Sequence, residues 1–344
     1  MSASIAREIG ALDHLDFGTV LDGAARLRPE RLALSGADIA RLSFGAFDSR
    51  VTQLATQFSA LQLPSQSRLV LCGGTSVTSV LVIYAGLRAG LDVALAPAHL
   101  DATALAIFAR DVEAVAIAAD MACPGARAED EMLEIAASLP ALRVICATGP
   151  MDGAVLLDAE AEGTVAFQPV RAADGLVIMH DPEGPPAYYN QRRLLAAALD
   201  LVTQASISLQ QPVLSTLSPM GFAGLVAGPL AMLLTGAPLV LHAPFELREF
   251  TDELARLAPC HVVAPAALGP ALLRERVVTA AHCASLILAK SGEDVMLPEE
   301  DRPLVLDLSW SGASGYVLQP REAPAQKLAV IGQRMRAVAM FNQA

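Results

Sequence analysis

Lysine is almost absent from the sequence, in which Lys290 and Lys327 are the only two lysines among 344 residues. Charged residues make up 17% of the chain, and acidic residues outnumber basic ones, so that the formal net charge is −12. Because a nucleic-acid backbone is bound by a positively charged face, this balance argues against a nucleic-acid partner. The scarcity of lysine also limits any chemistry in which an ammonium group must hold a phosphate.

Aromatic residues are also rare, at 4% of the chain, whereas the hydrophobic fraction is 53% and the mean hydropathy is +0.45. Disordered segments combine low hydrophobicity with high charge, so we expect an ordered core built mainly from Ala, Leu and Val. The five cysteines are scattered without a Cys-x-x-Cys pair. This spacing argues against a disulfide framework or a zinc ribbon, and it predicts buried, reduced thiols.

No basic region followed by an apolar stretch opens the sequence, so no signal peptide is predicted. Residues 201–245 contain no charged side chain and are long enough to cross a bilayer. Pro229, Gly236 and Pro238 interrupt this segment and predict a helix, a turn and a short strand in place of a membrane span. We therefore expect a cytoplasmic protein without a membrane span.

Short apolar runs alternate with helical stretches along most of the chain. The pattern predicts strands at residues 33–34, 42–44, 68–72, 92–96, 114–118 and 143–147, with helices at 18–27, 45–61, 75–88, 102–110 and 129–139. After a break at 148–173, it predicts strands at 176–179, 213–217, 239–241, 261–264, 285–288 and 305–308, with helices at 191–203, 222–234, 245–257 and 268–274. Residues 315–318 and 328–331 predict antiparallel strands of a smaller unit. Such alternation is typical of parallel sheets covered by helices on both faces.

Several stretches occur in the order and spacing of one known family. They are AARLRPERLALSG, LSFGAFDSRVTQLATQF, SRLVLCGGTSVTSVLVIYAGLRAGLDVALAPAHL, LSTLSPMGFAGLVAGPLAMLLTGAPLVL and FTDELARLAPCHVVAPAALGPALL. Over about residues 18–310 the chain thus resembles the adenylate-forming superfamily of acyl-CoA synthetases, adenylation domains and luciferases. The resemblance implies an α/β fold of two stacked αβα subdomains with parallel-rich sheets, at residues 1–165 and 166–310. A small, reduced β-barrel-like part at 311–344 would follow, without the family's C-terminal domain.

The phosphate loop of that family has the form YTSGTTGxPKG, in which backbone N–H groups and a lysine bind the ATP phosphates. The matching segment, GLVIMHDPEGPPAYYNQRRL, has no lysine. In place of the Thr/Ser/Gly run it has His180, Asp181, Pro182, Glu183 and Gly184. Two carboxylates would face the phosphates, and the prolines lack an N–H group. We therefore expect ATP binding to be lost.

Three further features of the family are altered. Gly221 stands where the family's PLFH motif has the histidine that shapes the acyl pocket. The YGxTE turn, whose Thr and Glu serve the phosphate and magnesium, is matched by LSWSGASG, which lacks the Glu. Because the sequence ends at Ala344, about 30 residues after that turn, we expect the domain with the family's catalytic lysine to be absent. The resemblance thus implies no catalytic residue, no metal site and no cofactor.

A residual acyl or aryl pocket would be lined by Gly221, Phe222, Ser291, Gly292 and Trp310. Ser291 and Gly292 match the family's adenine-contacting turn, although a structural turn is the simpler interpretation of this pair. Trp310 lies among small residues, and a second hypothesis is that its ring fills the vacated nucleotide space.

Other groups allow a functional and a structural interpretation, and for each we favour the structural one. His180, Asp181 and Glu183 form either an acid–base cluster or a solvated or partner-facing loop. Tyr188, Tyr189, Asn190 and Gln191 either line a ligand mouth or start a helix. Arg192 and Arg193 are either an anion site or surface charge, and Cys260 and His261 are either a metal pair or core residues.

These expectations favour a catalytically inactive homologue that acts as a scaffold, regulator or complex subunit through a protein partner or a second copy of itself. The alternative is a small-molecule sensor that binds an acyl or aryl carboxylate or an acyl-CoA, which thermal stabilisation by ligand would reveal. A third possibility is a ligase-like enzyme with altered activity, or one completed by a separate C-terminal domain. Pyrophosphate release with carboxylates would favour that enzyme.

Overall fold

The chain folds into two parallel-rich β-sheets with helices between them and on their outer faces. The computed structural model describes residues 15–123, 125–160, 175–182, 184–290, 302–311 and 315–321. Within these residues one sheet has seven strands and the other has eight. The α/β class and the parallel-rich sheets expected from the sequence are confirmed.

The seven-stranded sheet lies mostly in the first half of the chain. Its strands are β3 (Arg68–Gly73), β4 (Asp92–Pro97), β5 (Ala116–Ala119), β6 (Val144–Ala147), β7 (Val155–Leu156), β8 (Leu176–Met179) and β9 (Ala187–Asn190). Their order across the sheet is β7-β6-β5-β3-β4-β8-β9. All neighbours are parallel except β8 and β9, which form an antiparallel hairpin at one edge.

The eight-stranded sheet combines two early strands with six late ones. They are β1 (Leu32–Ser35), β2 (Leu42–Ser43), β10 (Val213–Ser215), β11 (Leu239–Leu241), β12 (Cys260–Pro265), β13 (Cys283–Lys290), β14 (Leu304–Ser311) and β15 (Gly315–Pro320). Their order is β15-β14-β13-β12-β10-β11-β1-β2, and only the two outermost pairs are antiparallel.

The described helices follow the apolar periodicity of the sequence. They are α1 (Phe17–Leu27), α2 (Phe44–Ala60), α3 (Val77–Arg88), α4 (Ala102–Asp111), α5 (Glu129–Ala137), α6 (Gln191–Ala205), α7 (Phe222–Leu225), α8 (Ala231–Thr235), α9 (Leu247–Leu257) and α10 (Gly269–Arg274). Five of them begin at a residue whose side chain accepts a hydrogen bond from the first turn, namely Asp16, Ser43, Ser76, Asp101 and Asn190. Such caps satisfy amide groups that the helix itself leaves unpaired.

A continuous apolar layer joins the two sheets. Side chains from both sheets and from α1, α2, α3, α6, α7 and α8 form one core cluster. In it, the Tyr84 ring on α3 packs against Phe17 and Phe47 with ring centroids 5.5 and 5.3 Å apart. Two smaller clusters lie on the outer faces, under α4 and α5 on one sheet and under α9 and α10 on the other. The described chain is therefore five layers thick.

The uncharged segment at 201–245 lies largely inside this middle layer. Helix α7 continues through a π-helical turn, Val226–Leu230, into α8, and β11 follows. The wider turn contains Pro229, which cannot donate the usual helical hydrogen bond. Within the described part of the chain, no helix has the length and apolar character needed to cross a membrane.

The expected division of the chain does not coincide with the sheets. Strands β8 and β9 lie beyond residue 166 but complete the seven-stranded sheet, whereas β1 and β2 belong to the eight-stranded one. Strand β15 extends the eight-stranded sheet beyond residue 311. The strand expected at 328–331 lies outside the described residues, and the domain boundaries stay a prediction.

The close contact between α7 and the preceding loop gives a stability prediction. A Cβ atom added at Gly224 would overlap the backbone carbonyl of Ser218, whereas one added at Gly228 would meet only the Leu239 side chain at 3.4 Å. We expect Gly224→Ala to lower the free energy of unfolding by about 1–3 kcal/mol because the backbone must shift. The matched Gly228→Ala should stay within about 1 kcal/mol of the parent. Equal urea midpoints for the two variants would contradict this packing.

Candidate functional site

The β8–β9 hairpin holds the loop that the sequence placed at the phosphate-binding position. Met179 on β8 pairs with Ala187 on β9, so residues 180–186 form the connection between them. The amide of Gly184 donates a 3.4 Å hydrogen bond to the carbonyl of Asp181, which closes a turn. His180, Asp181, Pro182 and Gly184 therefore lie together on this loop, and Glu183 lies outside the described residues.

The loop offers few groups that could bind a phosphate. Pro182, Pro185 and Pro186 have no N–H group. The His180 ring packs edge-on against Phe108, with ring centroids 5.5 Å apart. Burial lowers the pKa of His180, the neighbouring His99 lowers it further, and Asp181 opposes the shift. The imidazole is thus neutral near pH 7 and brings no positive charge to the loop.

Residues 188–190 lie on β9, so the interpretation of this segment as the start of a helix is wrong for the two tyrosines. Tyr189 is buried, whereas Tyr188 is 45% exposed on the opposite face of the strand. Helix α6 begins at Gln191, whose buried side chain accepts from the amide of Phe17 at 2.8 Å and donates to the carbonyl of Gly175 at 3.1 Å. Gln191 therefore ties α1 to the residue before β8.

An aromatic cluster gathers four rings from separate parts of the chain: Tyr189, Phe222, Trp310 and Tyr316. The Phe222 ring lies at their centre, with ring centroids 5.5 Å from Tyr189, 6.4 Å from Trp310 and 5.7 Å from Tyr316. The guanidinium carbon of Arg193 lies 5.7 Å from the centre of the Tyr189 ring, within the range of a cation–π contact. The structure thus brings together two of the expected pocket residues, Phe222 and Trp310.

The surroundings of the cluster leave room on one side. A Cβ atom added at Gly221, the residue before α7, would meet no atom within 4 Å. Trp310 remains 36% exposed although one face of its ring stacks on Phe222. Ser291 and Gly292 lie outside the described residues. The idea that Trp310 fills a vacated nucleotide space stays a prediction.

Two members of the aromatic cluster, Tyr189 and Tyr316, were absent from the expected pocket. Tyr316 pairs with Trp310 across β14 and β15, and its hydroxyl donates to Asp200 on α6 at 3.4 Å. Burial raises the pKa of Tyr316, and Asp200 raises it further. The composition contains a signal for this cluster, because the chain has only four tyrosines and one tryptophan. Such rare large rings tend to lie at packed sites.

Cys260 and His261 are core residues at the start of β12. The His261 ring is fully buried, with Nδ1 2.8 Å from the Ser285 hydroxyl and Nε2 3.1 Å from Oε1 of Gln211. Both ring nitrogens therefore have protein partners. Burial lowers the pKa of His261 to about 4.

Comparison with known protein families and solved structures shows what the chain is similar to. The profile of the AMP-binding enzyme family matches residues 21–305. No protein with curated annotation matches the sequence significantly. Among solved structures, MbtA from Mycobacterium smegmatis aligns with a TM-score of 0.70 at 18% identity, covering 84% of this chain and 55% of that one.

Two further structures give the same result. MatB from Rhodopseudomonas palustris aligns with a TM-score of 0.69 at 19% identity, covering 90% of this chain and 62% of its own. A long-chain-fatty-acid-CoA ligase from Archaeoglobus fulgidus aligns with a TM-score of 0.72 at 13% identity, covering 91% and 67%. At such identities the likeness concerns the fold alone. The chain spans less than two thirds of the length of MbtA and MatB.

The buried state of His261 predicts how stability depends on pH. The unfolded chain binds a proton there near the ordinary pKa of 6.5, whereas the folded chain does so only near 4. The free energy of unfolding should therefore show no loss from this residue above pH 6.5. It should fall as the pH is lowered toward 4, by up to about 3 kcal/mol for His261. Urea titrations across this range should show a flatter dependence in His261→Gln. His282→Gln makes the same substitution at an exposed position and serves as the matched control.

Proposed function

The chain belongs to the AMP-binding enzyme family, and from that premise we propose that it is a catalytically inactive member that acts as a scaffold, regulator or complex subunit through a protein partner. The observation that carries the proposal is the loop between β8 and β9. It has prolines where amide donors are needed, its sequence contains no lysine, and the lowered pKa of His180 leaves that imidazole without a positive charge near pH 7.

The electrostatics of this loop support the loss of ATP binding. A carboxylate about 4 Å from a phosphate charge costs on the order of 4 kcal/mol at an effective dielectric constant near 20. Asp181 brings a carboxylate to this loop, and the loop sequence contains no lysine that could bind a phosphate. Binding of ATP and magnesium is therefore proposed to be lost.

The rest of the fold supports a role in binding. The two sheets share one apolar core, so the scaffold persists although the loop chemistry differs from that of the family. Tyr188, on the edge strand β9, is 45% exposed and offers an apolar contact to a partner. The five described cysteines are free and buried, in keeping with the reducing cytoplasm that we retain as the proposed location.

A small-molecule sensor is the second candidate, and the aromatic cluster favours it. Its stacked rings and the open space beside Gly221 provide an apolar wall of the kind that holds a flat carboxylate ligand. This role requires no phosphate binding. The two candidates therefore make different predictions for small molecules.

For the inactive scaffold, we expect calorimetric titration with ATP or AMP and magnesium to give a dissociation constant weaker than about 1 mM, or less than roughly 4 kcal/mol of binding free energy. Micromolar affinity would overturn the proposal and reopen the enzyme interpretation. The same sample, analysed by size-exclusion chromatography with light scattering, tests the partner. A pure monomer that captures nothing from its native lysate would contradict that half of the proposal.

For the sensor, Trp310 supplies its own probe, because it is the only tryptophan and all indole emission comes from the aromatic cluster. A carboxylate that binds beside Phe222 should change this emission in a saturable manner and raise the melting temperature. Phe222→Leu should weaken the response because it removes the ring on which Trp310 stacks. If a broad set of aryl and acyl carboxylates leaves the Trp310 emission unchanged, the result favours the scaffold.

A further inference from the structure

Strand β15 forms one edge of the eight-stranded sheet, and within the described residues its single neighbour is β14. Its six residues, Gly315–Pro320, include no charged side chain. The other edges of the two described sheets are shorter, since β2 and β7 have two residues each and β9 has four. Proteins keep exposed edges short, charged or covered, because an unpaired edge attracts a further strand. The length and neutrality of β15 therefore indicate an edge that another strand covers.

The pairing of β15 with β14 shows which backbone groups point outward. The amide of Arg321 donates to the carbonyl of Val305 at 2.8 Å, so these two residues form a hydrogen-bonded pair of the antiparallel ladder. Such pairs recur at every second residue, which assigns the amide and carbonyl of Val317 to the bonds with β14. The amides and carbonyls of Tyr316 and Leu318 consequently point away from the sheet. Both residues thus present a donor and an acceptor along the edge.

Exposed apolar side chains accompany these backbone groups. Tyr316 and Leu318 pack against the core between the sheets, whereas Val317 lies on the opposite face of the strand and is 51% exposed. Helix α6 lies beside β15 on the core side, because the Tyr316 hydroxyl donates to Asp200 of that helix. Leu199, the residue before Asp200, is 56% exposed. The edge therefore combines open backbone groups with apolar surface on both of its faces.

Charge and symmetry favour a second copy of the chain as the partner of this edge. Two copies with a formal net charge of −12 repel each other, so a contact between them is confined to uncharged surface such as β15. Most soluble homo-oligomers are two-fold symmetric, so that the same surface patch meets itself. An antiparallel strand pair has this symmetry.

The register of such a pair follows from the outward-pointing groups. A two-fold axis at Val317 places Tyr316 of each copy opposite Leu318 of the other. Each of these pairs exchanges two N–H···O bonds, which satisfies the outward amides and carbonyls of both residues. The two Val317 side chains then lie opposite each other, as a β-branched pair that covers its own exposed apolar surface.

We propose that the chain forms a two-fold symmetric dimer in which β15 pairs antiparallel with β15 of a second copy. The two eight-stranded sheets join into one continuous sheet across the axis. Because the axis is perpendicular to the sheet, both copies of α6 lie on the same face, where the Leu199 side chains extend the contact beyond the strands. The inference rests on the proposed function and names its partner, at a surface separate from the β8–β9 loop.

Sedimentation of the full chain over a range of concentrations tests the dimer. We expect a reversible equilibrium between monomer and dimer. Val317→Lys places two like charges opposite each other at the axis, so it should weaken the dimer about tenfold or more. Val155→Lys makes the same change on the exposed edge strand β7 of the other sheet and should leave the dimer unchanged. Because both valines are exposed, both variants should keep the parent's circular dichroism.

A monomeric parent would overturn the proposal, as would equal effects of the two substitutions. Hydrogen exchange of the backbone amides then identifies what covers the edge. Protection of the Tyr316 and Leu318 amides should rise with protein concentration and be lost in Val317→Lys. The amide at position 317 is the internal control, because its bond to β14 should protect it at every concentration.

Two other exchange results would each overturn the dimer. Protection of Tyr316 and Leu318 that does not depend on concentration would show that another segment of the same chain, such as residues 322–344, covers the edge. Rapid exchange of both amides at every concentration would show that the edge is open.

The dimer and the proposed loss of activity fail in different ways. Micromolar binding of ATP by an intact dimer would overturn the inactive assignment and leave the interface in place. A monomer that binds no nucleotide would overturn the dimer and leave the inactive assignment in place.

Discussion

The apolar layer between the two sheets is the constraint on which the rest of the structure depends. Helix α3 lies within it and is buried almost all round, from Val77 to Leu87. A helix can be apolar on every side only where every side is covered, and here the two sheets and their helices cover it. The charged end of α3, Arg88, is also largely buried and pairs with Asp22 and Asp48 at 2.6 and 2.7 Å.

Because the two sheets share this core, the loops at their edges can change without loss of the fold. The hairpin that carries His180 and Asp181 is anchored by the pairing of β8 with β4 and β9. The contact of Gln191 with Phe17 fixes the same edge from the other side. The fold is thus held by contacts outside the loop, and for this reason membership of the family does not by itself assign an activity.

Local pattern predicted most of the elements correctly. The helices expected at 45–61 and 102–110 are Phe44–Ala60 and Ala102–Asp111 in the structure, because apolar spacing and the caps Ser43 and Asp101 are both local signals. Strand β9 was missed because it has four residues and exists through its pairing with β8. The sequence of Ala187–Asn190 has no periodicity that predicts this pairing.

By itself, the sequence determined the fold class and the order of most elements, because each depends on residue type and spacing over short stretches. It also predicts the altered chemistry proposed for the loop at 180–184. Only the tertiary structure decided which distant residues meet. Tyr189, Phe222 and Trp310 come together because Phe222, on α7, packs against a ring from β9 on one side and a ring from β14 on the other. His242 reaches Glu253 because α9 crosses the end of β11. Such contacts depend on the order of the strands and on the packing of the layers. The residue pattern of a single segment does not predict either of them.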